Sequence, residues 1–333
     1  MESTAHGGHR TVARKHVLVT GGAGFIGSHL VDALLADGAQ SVTVLDNFFL
    51  GTDENLAAAR EDATDLRVLR ADAADESQLR AALGADHFQV VFDLAVIPLP
   101  TSLERPKFCF DTNVAITSTL CELLREEAFE TLVHFSSSEA YGSARYAPMG
   151  EDHPLDPLTP YAASKAASDH LVRTYAATFG VDALVVRPFN NYGPRQNDRQ
   201  YAGIIPTLLR ALYAGEPFSL FGDGEQTRDY IYVTDTVQAA LALYAEPAAR
   251  GKVVNVGSGS EISMLELIAR LERIVGRPIP VERKEPRPGD VRRHCADVSL
   301  LRSLVDVRPQ ISMDDGLAAT VAYYERRLGA ARA

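Results

Sequence analysis

The sequence contains few of the residues that build disulfide scaffolds and metal centres. Its 333 residues include only three cysteines, Cys109, Cys121 and Cys295, and no two of them form a CxxC pair. This spacing argues against a disulfide framework and against a zinc site. We therefore expect three reduced, packed thiols and no metal ion.

Positive charge and long apolar runs are also scarce. The chain carries 33 basic and 44 acidic side chains, a formal net charge of −11, which opposes attraction to nucleic-acid phosphates and to anionic lipid. The longest apolar stretch, 88–100, is interrupted by Gln89 and Asp93 and is too short to cross a bilayer. Residues 1–14 are polar and lack the apolar segment of a secretory signal. We expect no nucleic-acid partner, no membrane association, a cytoplasmic location and a flexible tail over 1–14.

Short β-branched runs alternate with longer amphipathic stretches along the first half of the chain. The pattern predicts a first helix over 25–37 and strands at 16–20, 41–46, 66–72, 89–95, 131–137 and 183–189. Strands that are apolar on both faces are typical of a parallel sheet covered by helices on both sides. We therefore predict an α/β fold with a doubly wound parallel sheet over residues 15–188.

Beyond residue 188 glycine and proline become more frequent and the predicted strands shorter. Amphipathic helices are predicted at 204–215 and 263–276, separated by loops. This texture indicates a smaller C-terminal lobe over 189–330, which we expect to bind the substrate. The run 253–259 has the pattern of a further strand, so residues 232–260 should contribute to the first domain.

A glycine-rich turn links the first predicted strand to the first helix. Gly21 permits the tight turn, Gly24 allows backbone to approach a pyrophosphate, and Gly27 allows close packing of helix and strand. Asp46, at the end of the second strand, can accept hydrogen bonds from ribose hydroxyls and would repel a 2′-phosphate. The turn therefore predicts a Rossmann-type domain that binds NAD rather than NADP.

The other cofactor contacts are expected beside this turn and at the carboxyl ends of neighbouring strands. Asp72 ends the third strand and could either contact the adenine or cap the next helix. The remaining predicted contacts are Phe25, Ile26, Asn47, Leu94, Ala95, Tyr161, Lys165 and Pro188.

Two further motifs carry the predicted chemistry. Tyr161 and Lys165 are four residues apart, so both lie on one face of a helix. An ammonium and a cationic nicotinamide would lower the pKa of the phenol from about 10 and make it a general base. Ser137, Ser138 and Glu139 follow an apolar strand, at the sheet edge where open α/β sheets bind their ligands.

The combination of TGGAGFIG, Asp46, SSSEAYG, PYAASK, RPFNNYGPRQ and GDGEQTRDYIYVTD resembles the extended short-chain dehydrogenase/reductase family. More narrowly, it resembles the nucleotide-sugar epimerases, dehydratases and decarboxylases of that family, from about residue 15 to about residue 325. The resemblance implies that bound NAD takes hydride from C4 of a sugar, that chemistry follows on the 4-keto intermediate, and that hydride is usually returned.

The resemblance also implies roles for individual residues. Tyr161 would be the base, Lys165 would position the nicotinamide ribose and the phenol, and Ser137 would hydrogen-bond the C4 oxygen. Asn190, Arg228 and Arg287 would contact the nucleotide diphosphate, and Phe221 would stack on the base. For Arg195, Gln226 and Tyr232, a structural role and a ligand contact both remain open. A homodimer through helices near 102–126 and 161–179 is implied as well.

Glu139 and Ser138 bear on which reaction follows oxidation. Simple 4-epimerases of the family usually have no carboxylate at position 139, whereas 4,6-dehydratases do and often have Asp at position 138. UDP-glucuronate decarboxylases have Thr-Ser-Glu and an arginine at position 228, which is close to the pattern here. We therefore expect a UDP-sugar substrate and, as the main hypothesis, UDP-glucuronate decarboxylation.

Three alternatives stay open at this point: 4-epimerisation, 4,6-dehydration, and a non-catalytic NAD-binding regulator that retains the fold. The segment 94–106 departs from the expected decarboxylase pattern, which leaves the sugar uncertain.

Overall fold

A computed structural model describes residues 11–62, 65–84, 86–199, 202–286 and 291–329. Residues 1–10 of the predicted tail and the predicted ligand Arg287 lie outside the described residues. The end of the predicted tail differs from the expectation. Val12 is buried in the core and the Arg14 N–H donates to the Gly38 carbonyl at 2.8 Å, so residues 11–14 pack onto the domain.

The strands follow the predicted order along the chain. They are β1 (His16–Thr20), β2 (Ser41–Asp46), β3 (Leu66–Arg70), β4 (Phe88–Asp93), β5 (Phe129–Phe135), β6 (Ala183–Pro188), β7 (Asn190–Tyr192), β8 (Phe218–Phe221), β9 (Thr227–Arg228), β10 (Tyr230–Tyr232), β11 (Val253–Val256), β12 (Ile262–Ser263) and β13 (Val281–Lys284). Seven of them form one parallel sheet in the order β11-β6-β5-β4-β1-β2-β3. The predicted doubly wound sheet is confirmed, and the run from 253 supplies its edge strand.

The helices lie on both faces of this sheet and in the C-terminal lobe. They are α1 (Phe25–Ala36), α2 (Ala57–Asp62), α3 (Glu76–Leu83), α4 (Leu99–Glu104), α5 (Pro106–Arg125), α6 (Pro160–Phe179), α7 (Ile204–Ala214), α8 (Val233–Ala245), α9 (Met264–Val275), α10 (Ser299–Leu304) and α11 (Met313–Gly329). Short 3-10 helices occupy Asp53–Leu56, Ser138–Tyr141 and Pro247–Ala249. Across these described residues, no helix combines the length and apolarity needed to span a bilayer.

Alternation along the central strands divides the core between the two sheet faces. On β4, Val90 and Phe92 pack with α1 and α8, whereas Val91 packs with α3, α5 and α6. All three cysteines are buried and form no disulfide. Strands β3, β4 and β5 each end two residues before the predicted boundary, because the next residues leave the sheet and line the cavity described below.

The smaller lobe has its own core, built from α7, α9, α11 and strand β8, and the exposed strand β13 pairs with β8. The segment 291–297 ties this lobe to the sheet domain. The Met149 N–H donates to the Cys295 carbonyl at 2.8 Å, and the Ala296 N–H donates to Asp229 Oδ2 at 3.0 Å. The lobe is thereby held over the carboxyl edge of the sheet.

The buried side chain of His294 lies in this connecting segment and makes the stability of the folded protein depend on pH. Its Nε2 donates to the Gly142 carbonyl at 2.7 Å, and burial lowers the pKa of the imidazole to about 4, below the ordinary value of about 6.5. The unfolded chain therefore binds this proton at a higher pH than the folded protein does, and stability is lost as the pH falls from about 6.5 towards 4.

We expect His294→Gln to reduce the acid sensitivity of folding. Between pH 7 and pH 5, the imidazole should account for about 2 kcal/mol of the wild-type loss in unfolding free energy. Denaturant unfolding at both pH values measures this, and equal losses in wild type and variant would contradict the assignment.

Candidate active site

A cavity of about 470 Å³ opens at the carboxyl edge of the sheet, between the two lobes. Its walls come from the glycine turn after β1, the ends of β2 to β6, helix α6 and the segment 188–203. The predicted site residues that line it are Gly21, Gly24, Phe25, Ile26, Gly27, Asp46, Asn47, Asp72, Leu94, Ala95, Ser137, Glu139, Tyr161, Lys165, Pro188, Asn190 and Arg195. Ligands of open α/β sheets bind at this edge.

The glycine turn is packed too closely for side chains. Gly21 has φ of +67°, and a Cβ atom there would lie 2.8 Å from the backbone of Leu94 and Ala95. A Cβ atom at Gly27 would lie 2.3 Å from the Gly21 carbonyl oxygen. Gly24 is the N-cap of α1 and supplies no side-chain acceptor, so the first N–H groups of the helix can serve an anion.

Asp46 is held at the end of β2 by the glycine turn itself. Its carboxylate accepts the Phe48 N–H at 2.7 Å and the Ala23 N–H at 2.9 Å. Burial raises the pKa of this carboxyl, and the two backbone donors act in the opposite direction. An acceptor fixed at this point suits ribose hydroxyls.

Asp72 does not cap helix α3, which was one of its two predicted roles. Asp75 is the N-cap of this helix and accepts the Ser77 N–H at 2.9 Å. Asp72 instead accepts the Ala74 N–H at 2.9 Å and lines the cavity. The adenine contact of Asp72 stays a prediction. Together, the tight glycine cradle, the helix N-terminus and the two acids fit a dinucleotide such as NAD.

Helix α6 brings the two residues of the predicted dyad to the cavity. It begins at Pro160, and the Thr159 side chain caps it by accepting the Ala162 N–H. One turn in, the buried Lys165 Nζ donates to the Phe135 carbonyl at the end of β5 at 2.7 Å. Tyr161 lies on the same helix face, and its phenol hydrogen-bonds the Ser137 hydroxyl.

The expected lowering of the Tyr161 pKa is not produced by the protein groups. Burial raises the pKa of the phenol above its ordinary value, the Ser137 hydrogen bond lowers it, and the Glu139 charge raises it. Burial also lowers the pKa of Lys165, while the charges of Asp93 and Asp169 raise it. A cationic nicotinamide would act on Tyr161 in the direction first expected.

In the serine-rich motif, Ser137 and Glu139 are half-buried, whereas Ser138 is buried. Ser137 caps the 3-10 helix over Ser138–Tyr141 by accepting the Glu139 N–H at 3.2 Å, and both Ser137 and Glu139 line the cavity. Ser138 is only 3% exposed and is not among the lining residues. The predicted catalytic residue Ser138 therefore does not line the cavity, because its position in the first turn of the 3-10 helix buries its side chain.

The predicted substrate contacts also divide into two groups. Asn190 lines the cavity, and its Nδ2 is buried without an acceptor among the described residues, as a ligand-binding amide would be. Arg195 lines the cavity as well, but its Nη1 forms an ion pair with Asp32 Oδ2 at 2.6 Å.

The second group belongs to the C-terminal lobe and is not part of the cavity wall. Gln226 Nε2 donates to the Phe221 carbonyl at 2.9 Å. Arg228 Nη1 donates to the carbonyls of Thr227 and Val291 at 2.9 and 2.6 Å. A ligand contact of Phe221, Gln226 or Arg228 therefore remains a prediction.

Sequence reasoning missed one wall of the cavity. Residues 96–100, of sequence VIPLP, line it together with Thr112 and Ile116 of α5. The departure of the segment 94–106 from the expected pattern was the signal for this wall, in which residues 96–100 are all apolar.

Comparison with known proteins agrees with this geometry. The model of the NAD-dependent epimerase/dehydratase family matches residues 17–257, which is most of the chain.

The chain belongs to this family.

The family has many members similar to this chain. This chain is 38% identical to a UDP-glucose 4-epimerase of Mycolicibacterium smegmatis over 312 residues, covering 93% of this chain and 98% of the relative. It is 37% identical to a dTDP-glucose 4,6-dehydratase of Streptomyces griseus over 316 residues, covering 93% and 94%. A dTDP-glucose 4,6-dehydratase structure from Streptomyces venezuelae with NAD bound superposes with a TM-score of 0.88 at 34% identity, covering 94% and 98%. The protein is an NAD-dependent enzyme of the nucleotide-sugar epimerase/dehydratase class.

Two glycine substitutions should separate cofactor binding from folding. Gly24 has φ of −76°, which any residue adopts, and the nearest atom to an added Cβ is the Gly21 oxygen at 3.1 Å. We expect Gly24→Ala to fold and to bind NAD about tenfold more weakly, because an extra methyl in a packed contact costs ~1–3 kcal/mol. Calorimetric titration with NAD measures this.

Gly27→Ala is the matched comparison, because its Cβ would collide with backbone at 2.3 Å. We expect it to lower the unfolding temperature instead. Wild-type NAD affinity in Gly24→Ala would contradict the proposed cradle.

Proposed function

We propose that the protein removes water from a nucleotide-linked hexose in a 4,6-dehydratase reaction that begins with oxidation at C4. The observation that carries this proposal is Glu139, which lines the cavity beside Ser137 and Tyr161. A carboxylate at this point supplies the second proton transfer that elimination needs and that simple epimerisation does not.

Tyr161 and Ser137 act at the C4 oxygen in this proposal. The Ser137 hydroxyl, fixed by the Glu139 N–H at 3.2 Å, orients the C4 hydroxyl towards the phenol. Tyr161 takes the proton of that hydroxyl, and Lys165 holds positive charge nearby to stabilise the phenolate. NAD, held by the Gly21–Gly27 turn and Asp46, would supply the hydride acceptor for C4 and the hydride donor for C6.

Glu139 acts at C5 and C6. Its carboxylate removes the C5 proton, which the C4 ketone makes acidic, and the C6–O bond breaks as a double bond forms between C5 and C6. Ser138 is buried off the cavity wall, so Glu139 itself passes the proton to the departing oxygen, which leaves as water. Tyr161 gives up the proton that it took from the C4 hydroxyl, which balances the proton added at C5 as C6 is reduced, and the product is a 4-keto-6-deoxy sugar.

The apolar wall favours a sugar whose C6 is uncharged. Residues 96–100 bring no charge to the cavity, and among its described lining residues the cations are Lys165 and Arg195, both already bonded to protein oxygens. A C6 carboxylate would lose its hydration here without a matched cation. The decarboxylation expected from the sequence is therefore the less favoured hypothesis, and no relative described above supports it specifically.

A second candidate is 4-epimerisation. The Mycolicibacterium smegmatis relative is a UDP-glucose 4-epimerase at 38% identity. Ser138 is buried off the described cavity wall, so Glu139 has no neighbouring side chain from this motif to help protonate a departing C6 hydroxyl. Rotation of the 4-keto sugar before hydride return would then give the epimer. The non-catalytic regulator is disfavoured because both Tyr161 and Lys165 line the cavity.

Three expectations about the surroundings of the enzyme stay predictions. They are the preference for UDP as the nucleotide, the cytoplasmic location, and a homodimer through α5 and α6. Exposed apolar side chains on these two helices, Phe110 and Phe179, are compatible with the dimer.

Tyr161→Phe should leave the cofactor bound and remove turnover. The variant keeps the ring and loses only the group that exchanges a proton with C4–OH, which is worth about 10²–10⁴-fold in rate. Mass spectrometry of UDP-glucose and dTDP-glucose reactions measures turnover, and calorimetry with NAD serves as the control. Turnover within a few-fold of wild type would remove Tyr161 as the base.

Glu139→Gln should separate the candidate reactions. Starting from UDP-glucose or dTDP-glucose, we expect wild type to form a 4-keto-6-deoxy product with loss of one water, and the variant to be slower by on the order of 10². Glu130→Gln is the matched control, because Glu130 is exposed on β5, the strand that precedes the 3-10 helix of Glu139.

An epimerised product that forms equally well in Glu139→Gln would establish the second candidate instead. Carbon dioxide released from UDP-glucuronate would restore the decarboxylase hypothesis.

A further inference from the structure

Three polar residues lie side by side on adjacent strands beneath the cavity. In the strand register, Thr20 of β1 faces Asp93 of β4, and Asp93 faces His134 of β5. The neighbouring residue two positions earlier on each strand packs in the core shared with α5 and α6, so the polar row points towards those helices. Each of the three side chains is at most 1% exposed.

The row is held by short hydrogen bonds centred on Asp93. Thr20 Oγ1 donates to Asp93 Oδ1 at 2.7 Å, and His134 Nδ1 lies 2.7 Å from Asp93 Oδ2. The Thr20 oxygen also accepts the N–H groups of Leu94 and Ala95, each at 3.2 Å. Both carboxylate oxygens are thus fixed. A buried carboxylate in a sheet core is costly unless it is paired.

Lys165 is the cation above this row. It is 4% exposed, and its Nζ donates to the carbonyl of Phe135, the residue after His134. The titratable and charged groups around it are Asp93 from β4, His134 from β5, Arg187 from β6, Cys109 from α5, and Tyr161 and Asp169 from its own helix.

The two acids near Lys165 are not equivalent. Asp169 Oδ2 accepts Arg187 Nη2 at 2.6 Å and the Ser136 hydroxyl at 2.7 Å, so much of its charge is offset by a guanidinium. Asp93 is bonded to a hydroxyl and an imidazole. Burial lowers the pKa of Lys165, and Asp93 is the strongest of the charges that raise it.

We propose that Asp93, fixed by Thr20 and His134, is a positioning residue that keeps Lys165 protonated and seated at the end of β5. This inference rests on the proposed role of the Tyr161 and Lys165 pair. It assigns a purpose to a buried carboxylate that the proposed reaction steps do not use. Loss of the Asp93 charge would leave Lys165 buried with weaker compensation, so it would lose its proton at a lower pH.

The direct test is the protonation midpoint of Lys165, read without turnover. The chain has five lysines, Lys15, Lys107, Lys165, Lys252 and Lys284, so ε-carbon-13 labelling gives few signals, and Lys165→Met identifies the one of interest. In the full-length protein, we expect Asp93→Asn to lower the midpoint relative to wild type. An unchanged midpoint in folded Asp93→Asn would overturn the proposal.

Asp235→Asn is the matched control. Asp235 is 5% exposed and accepts the N–H groups of Gln310 and Ile311 at 2.9 and 3.2 Å, and it is not among the charges that affect the Lys165 pKa. It should leave the Lys165 midpoint at the wild-type value. A shift as large as that of Asp93→Asn would show a general response to losing a buried carboxylate, which would also overturn the proposal.

His134→Gln keeps the test decisive if Asp93→Asn does not fold. This variant retains the Asp93 carboxylate, so we expect a Lys165 midpoint equal to or above that of wild type. A lowered midpoint would contradict the assignment of the effect to Asp93.

The activity measurement separates this inference from the proposed reaction. In Asp93→Asn, the alkaline limb of the kcat/KM profile should move to lower pH, with about tenfold lower kcat/KM on that side for each pH unit of displacement. An unmoved limb would count against the positioning role. Absence of turnover in wild type with every nucleotide sugar would end the proposed function, while the Lys165 midpoint would still decide the role of Asp93.

Discussion

The site depends on one buried hydrogen bond, between Lys165 Nζ and the Phe135 carbonyl at 2.7 Å. This bond fastens α6 to the carboxyl end of β5, and the helix geometry then places Tyr161 one turn away, where its phenol meets Ser137. The same strand end leads directly into the 3-10 helix that presents Glu139. A phenol, a hydroxyl and a carboxylate therefore line one cavity, and the hydrogen bond that joins α6 to β5 is made between protein groups alone.

Burial is the largest influence on the pKa values of both Tyr161 and Lys165. It moves the pKa of Tyr161 up and that of Lys165 down, both towards the neutral form. The polar layer under α6 opposes the second effect with the carboxylates of Asp93 and Asp169, each anchored by at least two hydrogen bonds. Preorganised charge of this kind costs stability but requires no rearrangement during reaction. In the proposed reaction, a nicotinamide held in the cavity would supply part of the positive charge that favours the Tyr161 phenolate.

Local spacing accounts for what could be predicted from the sequence. The strand, turn and helix around Gly21, Gly24 and Gly27, and the four-residue spacing of Tyr161 and Lys165, are set by backbone geometry over a few residues. The structure places all five at one cavity. The parallel sheet could also be predicted, because the alternation of apolar runs and amphipathic stretches is a local pattern in the sequence.

The features that were missed depend on contacts between distant parts of the chain. Burial of Ser138 follows from the course of the 3-10 helix against the core, and the row formed by Thr20, Asp93 and His134 exists only in the register of three strands. The rise in the Tyr161 pKa follows from the burial of the phenol, and the spacing of residues in the sequence does not predict this burial. The position of Phe221 and Arg228 away from the cavity wall likewise depends on how the C-terminal lobe packs against the sheet domain.

In the proposed reaction, the sugar is oxidised at C4 and reduced at C6 within one active site. UDP-glucose or dTDP-glucose labelled with deuterium at C4 distinguishes this reaction from the alternatives when the product is analysed by NMR. We expect deuterium at C6 of a 4-keto-6-deoxy sugar. Deuterium that stays at C4, in a recovered or epimerised hexose, would rule out the proposed dehydration.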